Sequence, residues 1–189
     1  MENALIVSYS DKGLDVIVNL LRSISCKKIS TAKTCGEARR LSTENSFDLY
    51  IINSPVYTES GELLAKELVT RGTSQVIMIV KNDVYDAMSR QVENAGIITI
   101  SKPLNKMTLW TTLKLVLATH SRLLLMQHQN LKLSNKIDDI KLVDRAKCIL
   151  ISHLNMSESE AHKFIEKKAM DKRVSRKEIA KNILKTYEM

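Results

Sequence analysis

Glycine and proline are scarce: five glycines and two prolines occur in 189 residues, and all seven lie within the first 103. From Leu104 to Met189 there is neither, so a helical pattern need not stop at a breaker anywhere in that stretch. Long apolar runs are also missing. None approaches the roughly 18 residues needed to span a bilayer, and no basic segment precedes the apolar residues of the N-terminus, so a cytoplasmic protein is expected. The three cysteines, Cys26, Cys35 and Cys148, are odd in number and lack metal-ligand spacing, which suits reduced thiols acting as small buried hydrophobes. With 44% hydrophobic and 26% charged residues, neither disorder nor a membrane class is indicated.

The first 118 residues alternate short apolar runs with amphipathic segments. Ala4 to Tyr9, Lys28 to Ala32, Leu49 to Asn53, Val76 to Val80 and Ile97 to Ile100 read as strands. Between them, Gly13 to Leu21, the stretch around Ala38 and Leu41, Leu63 to Val69 and Tyr85 to Asn94 have helical spacing, with a last helix from Leu104. Repeated βα units with continuous apolar strands call for a five-stranded parallel sheet covered on both faces. Ligands of such sheets bind at the C-terminal strand ends. Those ends hold Ser8-Tyr9-Ser10, Asn53-Ser54, Val80-Lys81-Asn82 and Ser101-Lys102-Pro103. No carboxylate cluster is among them, so neither an oxygen cage for a divalent metal nor an aspartyl nucleophile is expected. The reading is of a non-enzymatic protein without a cofactor.

This half resembles the receiver domain of two-component response regulators, which has a flavodoxin-like fold. The resemblance rests on the element order, on Asp48 entering the third strand, on Gly61 opening the third helix, and on Lys102-Pro103. Receivers keep an acidic pair after the first strand, a phosphoacceptor Asp after the third and Thr or Ser after the fourth; here those places hold Ser8 and Tyr9, Asn53, and Val80. The resemblance thus implies a degenerate pseudo-receiver, with Asn53 at the phosphoacceptor position and Lys102 as the residue left from the site. Lys102 has three readings: such a remnant, a donor to Asn53, or a solvated lysine. A cis Pro103 is also implied.

Beyond it, steps of three and four residues from Leu109 meet Thr112, Val116, Thr119, Leu123, Met126, Asn130, Leu133, Ile137 and Ile140, a seam suited to a two-stranded coiled coil. A single Asn at an a-type position favours parallel pairing. The bland alternative is that this stripe packs within the chain. Leu113, Leu117, Leu124 and Leu125 widen the apolar face, so part of the helix must also cover the sheet. His120 and His128 lack the acidic neighbour and downstream Pro of phosphotransfer histidines and read as surface or packing residues.

Residues 141–189 contain twelve basic and seven acidic residues, a net of +5 out of the chain's +8. Such a concentration suits a polyanion. Three helices are legible: one through Leu142, Ala146, Leu150 and Leu154, one opened by Ser157 with Glu160 three residues on, and one opened by Ser175 with Glu178. Both openings have capping-box spacing. Arg145-Ala146-Lys147 with Leu150, Ser157-Glu158 with Ala161, Ala169-Met170-Asp171 with Arg173, and Ile179-Ala180 with Ile183 resemble an ANTAR domain, the three-helix RNA-binding output of transcription antiterminators. Cys148 and Ile151 depart from the family pattern on or near the apolar face. The resemblance implies binding of stem-loops in leader transcripts through Lys147, Arg173 and Arg176, supported by Arg145, Lys168 and Lys172. Because aromatic residues are few, arginine planes and helix edges would have to contact loop bases.

The combined expectation is a receiver-like domain (1–118), a coiled-coil linker helix (119–140) and an ANTAR domain (141–189), forming a homodimer with a regulatory partner protein or ligand on the receiver-like half. A DNA-binding response regulator and a protein-interaction adaptor are the alternatives.

Overall fold

The computed structural model describes residues 1–187 and divides into two compact units, Met1–Leu125 and Met126–Met189. The first holds five strands, β1 (Asn3–Val7), β2 (Lys28–Ala32), β3 (Leu49–Asn53), β4 (Gln75–Val80) and β5 (Ile98–Ser101), all parallel and ordered β2-β1-β3-β4-β5. Helices α1 (Leu14–Ser23), α2 (Cys35–Glu44), α3 (Glu62–Val69) and α4 (Tyr85–Val92) provide the crossovers, and α5 runs from Lys106 to Leu154. The expected fifth strand is displaced by one residue, and α4 tightens into a 3-10 turn at Glu93–Ala95 before Gly96.

Strand alternation decides which helix covers which face. Leu5, Val7, Tyr50, Ile52, Val76, Met78 and Val80 form a core with α2, α3 and α4. Ala4, Ile6, Leu49, Ile51, Ile77 and Ile79 point the other way and pack on α1 and α5, where Leu109, Leu113 and Val116 are fully buried. Each such side chain contributes about 1.5–3 kcal/mol by leaving water. Gly61 opens α3 with φ +78°, and a Cβ there would stand 2.8 Å from Ile52 Cγ2. Glycine therefore satisfies both the left-handed backbone and the close approach to β3.

Asp48 joins several pieces before β3. Its carboxylate accepts the backbone N–H groups of Glu2 and Asn3, and its Oδ1 lies 3.8 Å from His120 Nε2 on α5. His120 is buried, as a packing histidine is, whereas His128 is exposed. Cys26 and Cys35 are buried as expected, and burial together with nearby Glu59 pushes the Cys35 thiol up to about 11. Cys148 is exposed instead. It follows buried Ala146 by two helical positions, which turns it away from the core. Ile151, 37% exposed, likewise lies outside the packed set, so neither departure from the ANTAR pattern disturbs the core.

In the second unit the end of α5 packs with α6 (Glu158–Lys172) and α7 (Arg176–Tyr187) around Ala146, Leu150, Ala161, Ile165, Ala169, Ile179, Ala180, Ile183 and Leu184. Four alanines in this set leave room for the helix backbones to approach. Asn155, with φ +50°, ends α5. Ser157 caps α6 with a complete box: its hydroxyl accepts Glu160 N–H at 3.3 Å, and its own N–H donates to the Glu160 carboxylate at 2.8 Å. At α7 only half of the expected box forms, the Ser175 hydroxyl accepting Glu178 N–H at 3.2 Å. Arg173 ends α6 in the left-handed region, φ +52°, with its N–H on the Met170 carbonyl and Val174 N–H on the Ala169 carbonyl. This is a Schellman closure in which arginine occupies the usual glycine position.

Candidate nucleic-acid interface

Register brings the ends of β1 and β3 side by side, Val7 opposite Ile52, so Ser8 and Asn53 meet just beyond the paired residues. Asn53 Nδ2 donates to Ser8 Oγ at 2.9 Å, and Ser8 Oγ donates to the Ser10 carbonyl at 2.6 Å. Lys102 does not bond Asn53: its Nζ donates to the Ser54 carbonyl at 2.6 Å, because the Asn53 amide is already turned toward Ser8. Burial and the charge of Lys81 lower the Lys102 pKa. The peptide bond before Pro103 is cis, as is the one before Pro55. Above this edge the rings of Tyr9 and Tyr57 stand 5.0 Å apart.

On α5 the expected dimer seam divides. Leu109 and Val116 are buried under the sheet, while Met126, Asn130, Leu133, Ile137 and Ile140 are exposed and Leu123 is half-buried. A 3-4 spacing does not by itself distinguish a helix covering a sheet from one facing a partner.

The basic residues separate into two groups. Lys147 and Arg176 line a cavity of about 360 Å³ with Asp139, Ile140 and Lys177. The cations of this cleft are paired. Lys147 Nζ lies 2.9 Å from Asp144 and 3.3 Å from Glu158, Arg176 lies 3.0 Å from Glu166, and Lys177 lies 2.6 Å from Asp139. Hydrogen bonds to Asp144 and Glu158 raise the Lys147 pKa. A phosphate binding here competes with carboxylates already in place.

Lys168 and Lys172, one turn apart on α6, line a second cavity of about 190 Å³. Lys168 Nζ stands 5.6 Å from the centre of the Phe164 ring. Arg173 follows at the turn, and Arg145 is exposed on α5. Lys168, Lys172 and Arg173 have no ion-pair partner among the described residues. They can meet a phosphate without first breaking a salt bridge, which makes this the less encumbered half of the basic surface.

The sequence pattern places Phe164 only on the apolar face of α6 and does not single out Asn182 or Tyr187, yet all three line this second cavity. Phe164, Lys168 and Lys172 follow an i, i+4, i+8 stripe that helical spacing alone contains. The α6 carboxylates Glu158 and Glu166 meet Lys147 of α5 and Arg176 of α7 only through tertiary packing.

The family model for the ANTAR domain matches residues 131–184. The transcriptional regulatory protein PdtaR of Mycobacterium tuberculosis, in strains CDC 1551 / Oshkosh and H37Rv, is 24% identical over 170 residues, spanning 90% of this chain and 83% of PdtaR. Among solved structures, a CheY-like receiver domain protein from Methanospirillum hungatei JF-1 shares 22% identity at a TM-score of 0.57, covering 65% of this chain and 98% of that one. The chemotaxis response regulator CheY4 of Vibrio cholerae shares 20% identity at a TM-score of 0.53, covering 61% and 98%. The chain therefore joins a receiver-like fold to a segment that matches the ANTAR domain.

Proposed function

We propose that this regulator binds paired stem-loops in leader transcripts as a homodimer, without enzymatic activity, and so keeps a terminator hairpin from forming. The observation that carries the reading is the ANTAR match over residues 131–184, which includes Lys168, Lys172 and Arg173 with their charges exposed and unpaired among the described residues. These three are the principal phosphate contacts. Lys147, Arg176 and Arg145 stand at the margin, where carboxylates compete for the first two.

Residues 1–118 act as a pseudo-receiver. Where a receiver presents carboxylates, Ser8, Tyr9 and Asn53 offer hydroxyls and an amide, so control comes from a partner protein or ligand on this half rather than from an aspartyl phosphate. The linker helix, 119–140, pairs two chains through Leu123, Met126, Asn130, Leu133, Ile137 and Ile140, and residues 141–189 supply the RNA module in duplicate. Two modules on one dimer engage two hairpins with an effective-concentration gain. The protein works in the cytoplasm, where leader transcripts are made.

Crosslinking of the full chain in cells, followed by sequencing of bound RNA, tests this reading. Enrichment of leader transcripts with two neighbouring stem-loops is expected. Recovery of no RNA above background contradicts it.

A further inference from the structure

Aromatic residues are so few that their placement is informative. After Trp110 the chain contains only two residues of the Phe, Tyr and Trp types, Phe164 and Tyr187, and both line the same groove of the second unit. Phe164 comes from α6 and Tyr187 from the end of α7, so two helices contribute one ring each. Lys168 stands over Phe164, and the His153 ring lies 5.5 Å from that of Tyr187, at a tilt of 57°. Asn182, exposed on α7, adds an amide with both donor and acceptor to the same wall. Tyr187 lies beyond the residues matched by the ANTAR model, so this groove belongs in part to this chain rather than to the matched segment.

We propose that the groove between Phe164 and Tyr187 receives one unpaired base from the loop of a bound RNA hairpin, with Lys168 and Lys172 on the flanking phosphates and Asn182 on the base edge. The proposal rests on the RNA-binding reading above and names where a base is read. The chemistry of the groove favours that occupant. A wall of rings attracts the face of a base, since base–aromatic stacking is tolerant of base identity and strong per nucleotide. Two lysines unpaired among the described residues at its rim match the phosphates on either side. An exposed amide can then distinguish one base edge from another. A base paired in a stem keeps its faces stacked on its neighbours, so only a loop base splayed out of the stack can enter. Arginine planes, the expected readers of the loop, are then replaced by the two rings.

The test uses the full chain and hairpin RNAs recovered by crosslinking to it. An abasic site is introduced at each loop position in turn, and wild-type affinity is measured, which requires no protein variant. One position is expected to be sensitive, losing roughly tenfold or more. Tyr187→Ala should weaken the intact hairpin by a similar factor but leave the hairpin abasic at the sensitive position almost unaffected, while Tyr187→Phe retains wild-type binding to both. A 2-aminopurine at the sensitive position should be quenched by the wild type and less so by Tyr187→Ala.

Abasic sites tolerated at every loop position overturn the proposal, as does Tyr187→Ala binding that equals wild type or falls equally on intact and abasic hairpins. In those outcomes hairpin binding by the wild type persists, and only the groove is refuted. Absence of wild-type hairpin binding overturns the RNA reading and the groove together.

Discussion

Asn53 donates its side-chain amide to the Ser8 hydroxyl at 2.9 Å, so the two positions where a receiver carries acidic residues are joined by a neutral hydrogen bond. The Ser8 hydroxyl in turn donates to the Ser10 carbonyl, so it is engaged both as acceptor and as donor. Incubation with acetyl phosphate and Mg2+ should therefore leave the intact mass unchanged. Asn53→Asp should also remain unmodified, because Ser8 and Tyr9 still supply no carboxylate to hold the metal. A mass gain of one phosphoryl group on the wild-type chain contradicts this.

Arg173 occupies a left-handed helix end at φ +52°, a conformation that disfavours residues with a Cβ by roughly 1–2 kcal/mol. Arg173→Gly should raise the melting temperature of the second unit while weakening RNA binding. Opposite signs in thermal unfolding and hairpin affinity mark a residue held at a conformational cost for its charge. A fall in both indicates a structural role alone.

Gly61 has no room for a side chain. Gly61→Ala combines a positive φ with an approach of 2.8 Å to Ile52 Cγ2, so urea unfolding should show a loss of about 2 kcal/mol or more. Wild-type stability for this variant means that β3 and α3 shift apart easily.

The Ser157 cap makes stability of the second unit depend on acid. Hydrogen bonds from the Ser157 backbone and hydroxyl hold the Glu160 carboxyl below its usual pKa. A depressed carboxylate contributes stability above its unfolded pKa, and that contribution is lost as pH falls through the folded one. Ser157→Ala should cost about 1 kcal/mol at neutral pH. The difference from wild type should shrink as pH drops through and below the carboxylate range, about pH 4. A difference independent of pH places the effect outside the Ser157–Glu160 pair.

Much of this architecture is legible in residue order. Continuous apolar strands separated by helical spacings lead to the parallel sheet, and Ser157 with Glu160 leads to a formed capping box. Apolar spacing says which side chains leave water, not which surface covers them: Leu109 and Leu133 share one seam, yet the first is buried beneath the sheet and the second is exposed. Charge counts have the same blindness. Lys147 resembles Lys168 in sequence, but Asp144 one turn back and Glu158 on the next helix pair with the first, while Lys168 lies over Phe164. Cys148 could have been placed correctly from Ala146 alone, since two helical steps face away from a buried neighbour.

The most direct measurement is competition for the full chain between hairpin RNA and duplex DNA across a salt series, with wild type and a Lys168→Gln, Lys172→Gln double variant compared. Hairpin RNA should win, and removing the two lysines should reduce the slope of log affinity against log salt by about one and a half to two. Equal competition by duplex DNA, or an unchanged slope in the double variant, contradicts a stem-loop regulator that grips RNA through this face.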